Sequence, residues 1–164
     1  MSVDTMEKLF IEELKDLYSA ENQITKALPK MVKAATSTEL KNAFEKHLKE
    51  TESQINRLVK ICEMIGASPK GKTCNGMKGV LEEGSGALKE IEAGDVRDAA
   101  LISAAQRVEH YEMAGYGTVR TYAELLGQTE ASKLLEQTLE EERATDEKLT
   151  MISQKVNAKA QQTA

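Results

Sequence analysis

Glutamates interrupt the apolar stripes of the predicted helices, and their type and position suit metal binding. Glu109 and Glu112 lie on the inward stripe of a long predicted helix, since residues spaced by three and four share one face. The other members of that stripe are Ile102, Ala105, Tyr116, Val119, Ala123 and Leu126. A carboxylate buried without compensation is costly, so it must be neutralised, paired or bound to a cation. Buried carboxylates therefore predict a cation site.

Acidic residues also lie near the middle of the other predicted helices, on or beside their apolar stripes. No Lys or Arg lies on the inward stripes to pair with these acids. Several carboxylates that converge in a dry bundle repel one another, and bound cations relieve that repulsion. Carboxylate oxygens and imidazole suit iron or manganese. The sequence thus predicts two divalent metal ions, iron with manganese as the alternative. The candidate ligands are Glu21, Glu50, Glu109, Glu112, Glu142 and Asp146, with His47 and Gln54 as further candidates.

The ligand pattern departs from that of known dinuclear carboxylate bundles. Those proteins use one Glu on each of two helices and Glu-x-x-His on the other two. Here Glu50 is followed three residues later by Ser53, and Glu142 by Thr145, so neither histidine is present. The available replacements are His47, Gln54 and Asp146. The sequence alone leaves His47 open as a ligand, a residue behind the ligands or a core histidine.

Side chains around the candidate ligands also have two interpretations. Tyr18 and Tyr116 lie one helical turn from Glu21 and Glu112, where they either hydrogen-bond the ligands or fill the core. The run Glu140, Glu141 and Arg143 is interpreted as a solvated helix face.

Apolar spacing and capping signals predict four long helices that position these residues. Helix 1 runs from Asp4 or Thr5, with Asp4 and Glu7 as a cap pair, to about Ala35. Helix 2 starts at Thr36 or Ser37 and ends at Gly66. The long connection 66–94 contains a short helix over 75–92. Helix 3 covers 95–126, helix 4 covers 129–157, and the tail 158–164 is predicted to fray.

The lengths of the connections predict the topology. The first and third connections are short, so the helices that they join are antiparallel. The second connection is long enough to return to the far end of the bundle, which makes helices 2 and 3 parallel. One long crossover in a four-helix bundle is the ferritin-like connectivity. The prediction is therefore a single all-α domain, residues 1–164, with the acids of all four helices at one level.

Helix 3 carries a second apolar stripe, formed by Leu101, Ala104, Val108, Tyr111, Gly115, Tyr122 and Leu125. A helix that is apolar on two faces is buried on two sides. Either the crossover helix or a second subunit covers this second face.

Composition narrows the class of protein. The chain has 164 residues, a formal net charge of −5 and no Lys/Arg cluster, which argues against nucleic acid or an anionic membrane as a partner. No apolar run is long enough to span a bilayer, and the N-terminus lacks a signal-like segment. Cys62 and Cys74 match no zinc or redox motif and are interpreted as reduced thiols. A cytoplasmic location is the resulting prediction.

Four segments give the chain a resemblance to a known family. They are LYSAENQ (17–23), HLKETESQI (47–55), VRDAALISAAQRVEHYEMAGYGT (96–118) and TLEEERATDEKLT (138–150). In these segments the chain resembles the YciE/YciF family of bacterial ferritin-like stress proteins, closer to the YciF branch. The resemblance implies a ferritin-like bundle, a homodimer and a link to stress responses, and a structural relation to dinuclear iron proteins.

Two functions from different classes follow. The first is a dinuclear metal protein that acts on oxygen or peroxide, or that oxidises iron, under stress. The second is a non-catalytic dimeric bundle that serves as a structural or interaction protein, with a vestigial or structural metal site.

Overall fold

The computed structural model describes residues 2–163, so Met1 and Ala164 of the predicted domain lie outside the described residues. All regular structure in this range is α-helical. The helices are α1 (Met6–Ala34), α2 (Thr38–Met64), α3 (Asn75–Glu90), α4 (Asp95–Leu125) and α5 (Thr129–Gln162). The predicted all-α class and the order of four long helices and one short crossover helix are confirmed.

Contacts between helices establish the topology of the bundle. The start of α2 meets the start of α4, where Asp98 accepts from the backbone of Ser37, and His47 meets Glu109 farther along, so these two helices run parallel. Lys155 near the end of α5 pairs with Glu39 at the start of α2, so α2 and α5 are antiparallel. Helix α1 packs against both α2 and α4. This arrangement is the predicted ferritin-like bundle.

Helix ends follow the glycine signals closely. Gly66 and Gly127 both have φ of 69°, and each follows the last turn of a helix, as the sequence predicted. Helix α5 continues to Gln162, five residues beyond the predicted end at Asn157. The segment 158–162 contains Ala, Lys and Gln, which favour helix, and it has no Gly or Pro to end one.

The structure decides between the predicted starts of the first two helices. Thr5, rather than Asp4, caps α1 and accepts a hydrogen bond from the backbone N–H of Lys8. Ser37 caps α2. A residue of α4 also holds the segment that precedes α2. The buried carboxylate of Asp98 accepts hydrogen bonds from the backbone N–H groups of Thr36 (2.8 Å) and Ser37 (2.7 Å).

Replacing Asp98 by alanine is expected to lower the free energy of unfolding by about 3 kcal/mol, because two backbone donors lose a charged acceptor in a buried place. Urea denaturation of the purified protein measures this change. Asp95→Ala in the same first turn of α4 is the matched control and should cost less than about 1 kcal/mol. Equal losses in the two variants would contradict the role of Asp98.

Helix α3 covers part of the second apolar stripe of α4. Leu101 and Val108 of α4 belong to the same buried cluster as Met77 of α3. Gly76 at the start of α3 lies so close to the ring of Tyr111 that an added Cβ would be 2.6 Å from it. The other end of the stripe is different, because Leu125 is 69% exposed. Helix α3 of the same chain thus covers the N-terminal part of the stripe, around Leu101 and Val108, and leaves its C-terminal end at Leu125 exposed.

The core consists of two apolar clusters separated by polar side chains. One contains Ile24, Phe44 and Leu149, and the other contains Leu17, Leu58 and Leu139. Within residues 2–163, no helix is long and apolar enough to cross a membrane. Cys62 and Cys74 are both buried and free, in agreement with the prediction of reduced thiols.

Candidate metal centre

Five ionisable side chains from all four long helices meet between the two apolar clusters. Glu21 of α1, His47 of α2, Glu109 and Glu112 of α4, and Glu142 of α5 are each at most 3% exposed. Each lies on the inward stripe of its helix, which explains why four separate stretches of sequence deliver their side chains to one level. Apolar packing on both sides holds them there.

Within this cluster the potential ligand atoms form two groups. One ligand atom each from His47, Glu109 and Glu142 lie within 4.8 Å of one another, and so do one each from Glu21, Glu112 and Glu142. Glu142 therefore belongs to both groups. Two adjacent groups that share a carboxylate are the arrangement expected of a two-cation site bridged by a glutamate.

His47 is held between a carboxylate and a hydroxyl. Its Nε2 lies 2.9 Å from Glu109 Oε1, and its Nδ1 lies 3.5 Å from Thr145 Oγ1. Burial lowers the pKa of the imidazole, but the negative charge of Glu109 and the hydrogen bonds to Glu109 and Glu50 together outweigh burial and raise the pKa to about 10. Without a cation, this pKa favours the protonated imidazole of His47. As a metal ligand, His47 would have to release its proton.

The remaining carboxyl groups are forced towards the neutral form. Burial raises the pKa of Glu21 to about 7, although the hydroxyl of Tyr116 donates a hydrogen bond of 2.5 Å to Glu21 Oε1. Burial also raises the pKa of Glu112 and Glu142 well above the usual range, and the neighbouring acids add to that rise. These shifts show the electrostatic cost of the cluster in the protein alone.

Many of the buried oxygens have no hydrogen-bond partner. They are Glu21 Oε2, Glu109 Oε2, both oxygens of Glu112 and both oxygens of Glu142. Buried polar atoms are normally satisfied, and a group of unsatisfied ones calls for an explanation. No Lys or Arg of the described residues is buried among them. Oxygen donors with one imidazole are suitable ligands for iron or manganese, so the residues present fit a pair of such cations.

Three of the predicted ligands lie away from these groups. Glu50 is part-exposed and its Oε1 pairs with Lys46 at 3.3 Å. It lies beside the inward stripe of α2, which is formed by His47, Thr51 and Gln54. Asp146 lies on the outer seam of α4 and α5, where its Oδ2 is 3.2 Å from His110 Nε2. Gln54 is buried, but its Nε2 donates to Glu141 Oε2 (3.1 Å), and its Oε1 has no partner.

The pair Arg57 and Glu141 was not anticipated. The sequence suggested a solvated Glu141, but Arg57 donates two hydrogen bonds to its carboxylate, at 2.6 Å and 2.7 Å, and a third to Thr138. This pair joins α2 to α5 beside Gln54. Periodicity alone does not reveal it, because the two residues are far apart in the chain.

Comparisons with known proteins agree with this architecture. The family model described as "Domain of unknown function (DUF892)" matches residues 5–162. Protein YciF of Escherichia coli (strain K12) is 48% identical over 166 residues, which cover 100% of both chains. The chain belongs to the YciF family. The crystal structure of the E. coli stress protein YciF matches with a TM-score of 0.92 at 47% identity, over 96% of this chain and 99% of that one.

Two further solved structures are similar to this chain. YcfI of Rhodopseudomonas palustris, for which a structural role has been suggested, matches with a TM-score of 0.88 at 42% identity, over 91% of this chain and 95% of that one. A protein of Xanthomonas campestris pv. campestris matches at 20% identity with a TM-score of 0.78, over 94% of this chain and 95% of that one, which shows a shared fold. Membership of the YciF family was predicted from the four quoted segments and is confirmed.

Proposed function

We propose that this protein is a dinuclear metal-carboxylate protein that takes part in a bacterial stress response. The stress role is transferred from the description of the E. coli relative. The metal role rests on one observation: the unpartnered carboxylate oxygens of four buried glutamates, arranged in two groups around Glu142. Iron is the favoured metal, with manganese as the alternative, since both accept oxygen donors with one imidazole. The proposed location is the cytoplasm.

Each residue has a distinct task in this proposal. Glu142 would bridge the two cations, Glu109 with His47 would hold one, and Glu21 with Glu112 would hold the other. Tyr116 orients Glu21 through its hydrogen bond, which leaves Glu21 Oε2 free to bind. The two apolar clusters exclude water from the centre. When bound, such a pair of metal ions would transfer electrons to oxygen or peroxide, and in the iron-oxidising case Fe(II) would be the source of those electrons.

Anaerobic calorimetric titration of the metal-free protein with Fe(II), and separately with Mn(II), tests the proposal. Two ions are expected to bind per chain, with release of protons because His47 and the raised carboxyl groups are protonated beforehand. The absence of binding, or binding without proton release, would overturn it. Addition of oxygen to the Fe(II)-loaded protein, followed by near-ultraviolet absorbance, then separates a reactive centre from an inert one.

Tyr116→Phe is expected to weaken metal binding by roughly 10-fold, because Glu21 loses the hydroxyl that orients it. The fold should remain intact, since the ring that fills the core is kept. Tyr122→Phe on the same helix is the matched control, because Tyr122 packs in the apolar cluster that contains Leu58. Equal affinities of the two variants would show that the Tyr116 hydroxyl plays no part in binding.

A second candidate function is a non-catalytic homodimeric bundle. It is favoured by the missing histidines after Glu50 and Glu142, and by the exposure of Leu125 (69%) and Met64 (44%) at the ends of two parallel helices. Sedimentation at several protein concentrations tests the dimer. A protein that binds metal but gives no absorbance change with oxygen would favour this role.

A further inference from the structure

An apolar cleft opens on the side of the bundle where the crossover helix lies. It has a volume of about 310 Å³ and is bounded by α1, α3 and α4. Its floor includes Leu88 of α3 with Leu101 and Ala104 of α4, and exposed lysines, Lys26 and Lys30 among them, line its rim. The cleft is much larger than a water molecule and lies outside the candidate metal centre.

A second cavity lies deeper, beside that centre. It has a volume of about 20 Å³, and His47, Glu109 and Thr145 contribute its polar wall. The other lining side chains are apolar, among them Ile24 and Leu149. A space of this size holds about one molecule of the size of water or dioxygen.

The two cavities share a wall. Four side chains line both of them: Ala27, Met31, Leu81 and Val108. Leu81 belongs to the crossover helix and is only partly buried, as is Met31. Rotation of these two flexible side chains would connect the cleft to the inner cavity. Side chains that are not fully packed change rotamer rapidly, so this wall can act as a gate.

We propose that this apolar path admits a small nonpolar molecule of the size of dioxygen to His47 and Glu109. The inference rests on the proposed metal function and names the class of co-substrate for the same site. A hydrated metal ion or hydrogen peroxide would lose its hydrogen bonds to water against these walls, which is costly. The rim of the cleft also carries more positive than negative charge, which disfavours the entry of divalent cations. Its charged side chains are Lys26, Lys30, Lys78 and Glu82. Metal ions therefore enter by a different route.

Oxygen-pressure NMR of the full-length chain, metal-free and zinc-loaded, tests the path without any reaction. Dioxygen is paramagnetic and speeds the relaxation of nearby methyl protons. The methyl groups of Ile24 and Leu149 at the inner cavity should relax severalfold faster under oxygen than those of Ile61, which lies in the other apolar cluster. A response at Ile24 and Leu149 no larger than that of Ile61 would overturn the proposal.

Variants of the gate give a matched comparison. Leu81 and Leu88 lie on the same helix and both line the cleft, but only Leu81 borders the inner cavity. Leu81→Ala should increase the oxygen response of Ile24 severalfold, and Leu88→Ala should not. Ala27→Phe should abolish the response of Ile24 while Leu88 keeps its own. Equal effects of Leu81→Ala and Leu88→Ala on Ile24 would contradict the gate.

The outcomes separate this inference from the proposed function. Two metal ions bound per chain with no oxygen response at Ile24 would overturn the path and leave the metal centre standing. An oxygen response at Ile24 in a chain that binds no iron or manganese would support the path and overturn the metal function.

Discussion

Replacing Glu142 by alanine is expected to abolish binding of both metal ions, not one. Glu142 is fully buried and belongs to both groups of potential ligands, whereas each of the other four residues belongs to one. Loss of a residue that only orients a ligand already weakens metal binding by 10–100-fold, so loss of a shared ligand should exceed about 100-fold. Calorimetric titration with Fe(II) or Mn(II) should show the stoichiometry fall from two ions per chain to none.

Two variants on the same helix serve as controls for Glu142→Ala. Glu140 is exposed and pairs with Arg143, so Glu140→Ala should bind two ions normally. Asp146→Ala is the sharper control, because the sequence predicted Asp146 as a ligand and the structure places it with His110 on the outer seam. A loss of binding in Asp146→Ala, or one remaining ion in Glu142→Ala, would contradict the assignment of the groups.

The fold was predictable because local signals and global pattern agree. Gly66 and Gly127 mark the ends of α2 and α4, and the long connection between these two helices allows only a crossover. Asp98 shows the limit of this reasoning. Asp98 accepts hydrogen bonds from the backbone N–H groups of Thr36 and Ser37, which precede it in the chain by 62 and 61 positions. No local sequence pattern contains contacts over such distances.

The members of the candidate metal centre were predictable wherever a glutamate lay on an inward stripe. Glu21, Glu109, Glu112 and Glu142 satisfy that condition, and the structure brings them together. Helix α2 is the exception. Its inward stripe contains His47, Thr51 and Gln54, all buried, and Glu50 lies beside it. Analogy with dinuclear bundles favoured the glutamate, but the helical period already favoured the histidine.

Side-chain pairs between helices were beyond sequence reasoning. Arg57 could have reached Glu50 on its own helix, but it forms two hydrogen bonds with Glu141 of α5. The choice depends on how α2 and α5 pack, and many rotations of a helix by a few degrees satisfy the same apolar pattern. The same uncertainty explains why the sequence did not reveal that Asp146, only one turn from Glu142, faces outward.

The metal-free protein is expected to lose stability as the pH rises from about 5 to about 9. The pKa values of Glu21 (to about 7), Glu112 and Glu142 are raised by burial, so their protons are held more tightly in the folded state than in the unfolded state. The pKa of His47 is also raised, by Glu109 against the effect of burial, to about 10. Stability contributed by a raised pKa is present at low pH and is lost as the pH rises through the folded value.

The pKa is raised in the folded state for all four groups, so their effects on stability add. These groups are Glu21, His47, Glu112 and Glu142. Glutamate carboxyl groups ionise near pH 4.5 in the unfolded chain, and Glu21 follows at about pH 7 in the folded chain. Carboxyl groups with a lowered pKa, such as Glu39 beside Lys155 and Lys148, titrate below 4.5 and leave this window unchanged. The free energy of unfolding should therefore fall by on the order of a few kcal/mol between about pH 5.5 and about pH 8.5.

Bound metal ions should reverse this trend, because cations bind the deprotonated ligands. Urea denaturation at about pH 5.5 and about pH 8.5, with and without saturating Mn(II), measures both slopes. Glu112→Gln should flatten the slope of the metal-free protein, since it removes one of the raised groups, whereas Glu140→Gln on the exposed face should leave it unchanged. A metal-free protein whose stability is constant or increases over this range would show that the carboxyl groups of the centre are not buried together. The same result would remove the electrostatic reason for a pair of cations there.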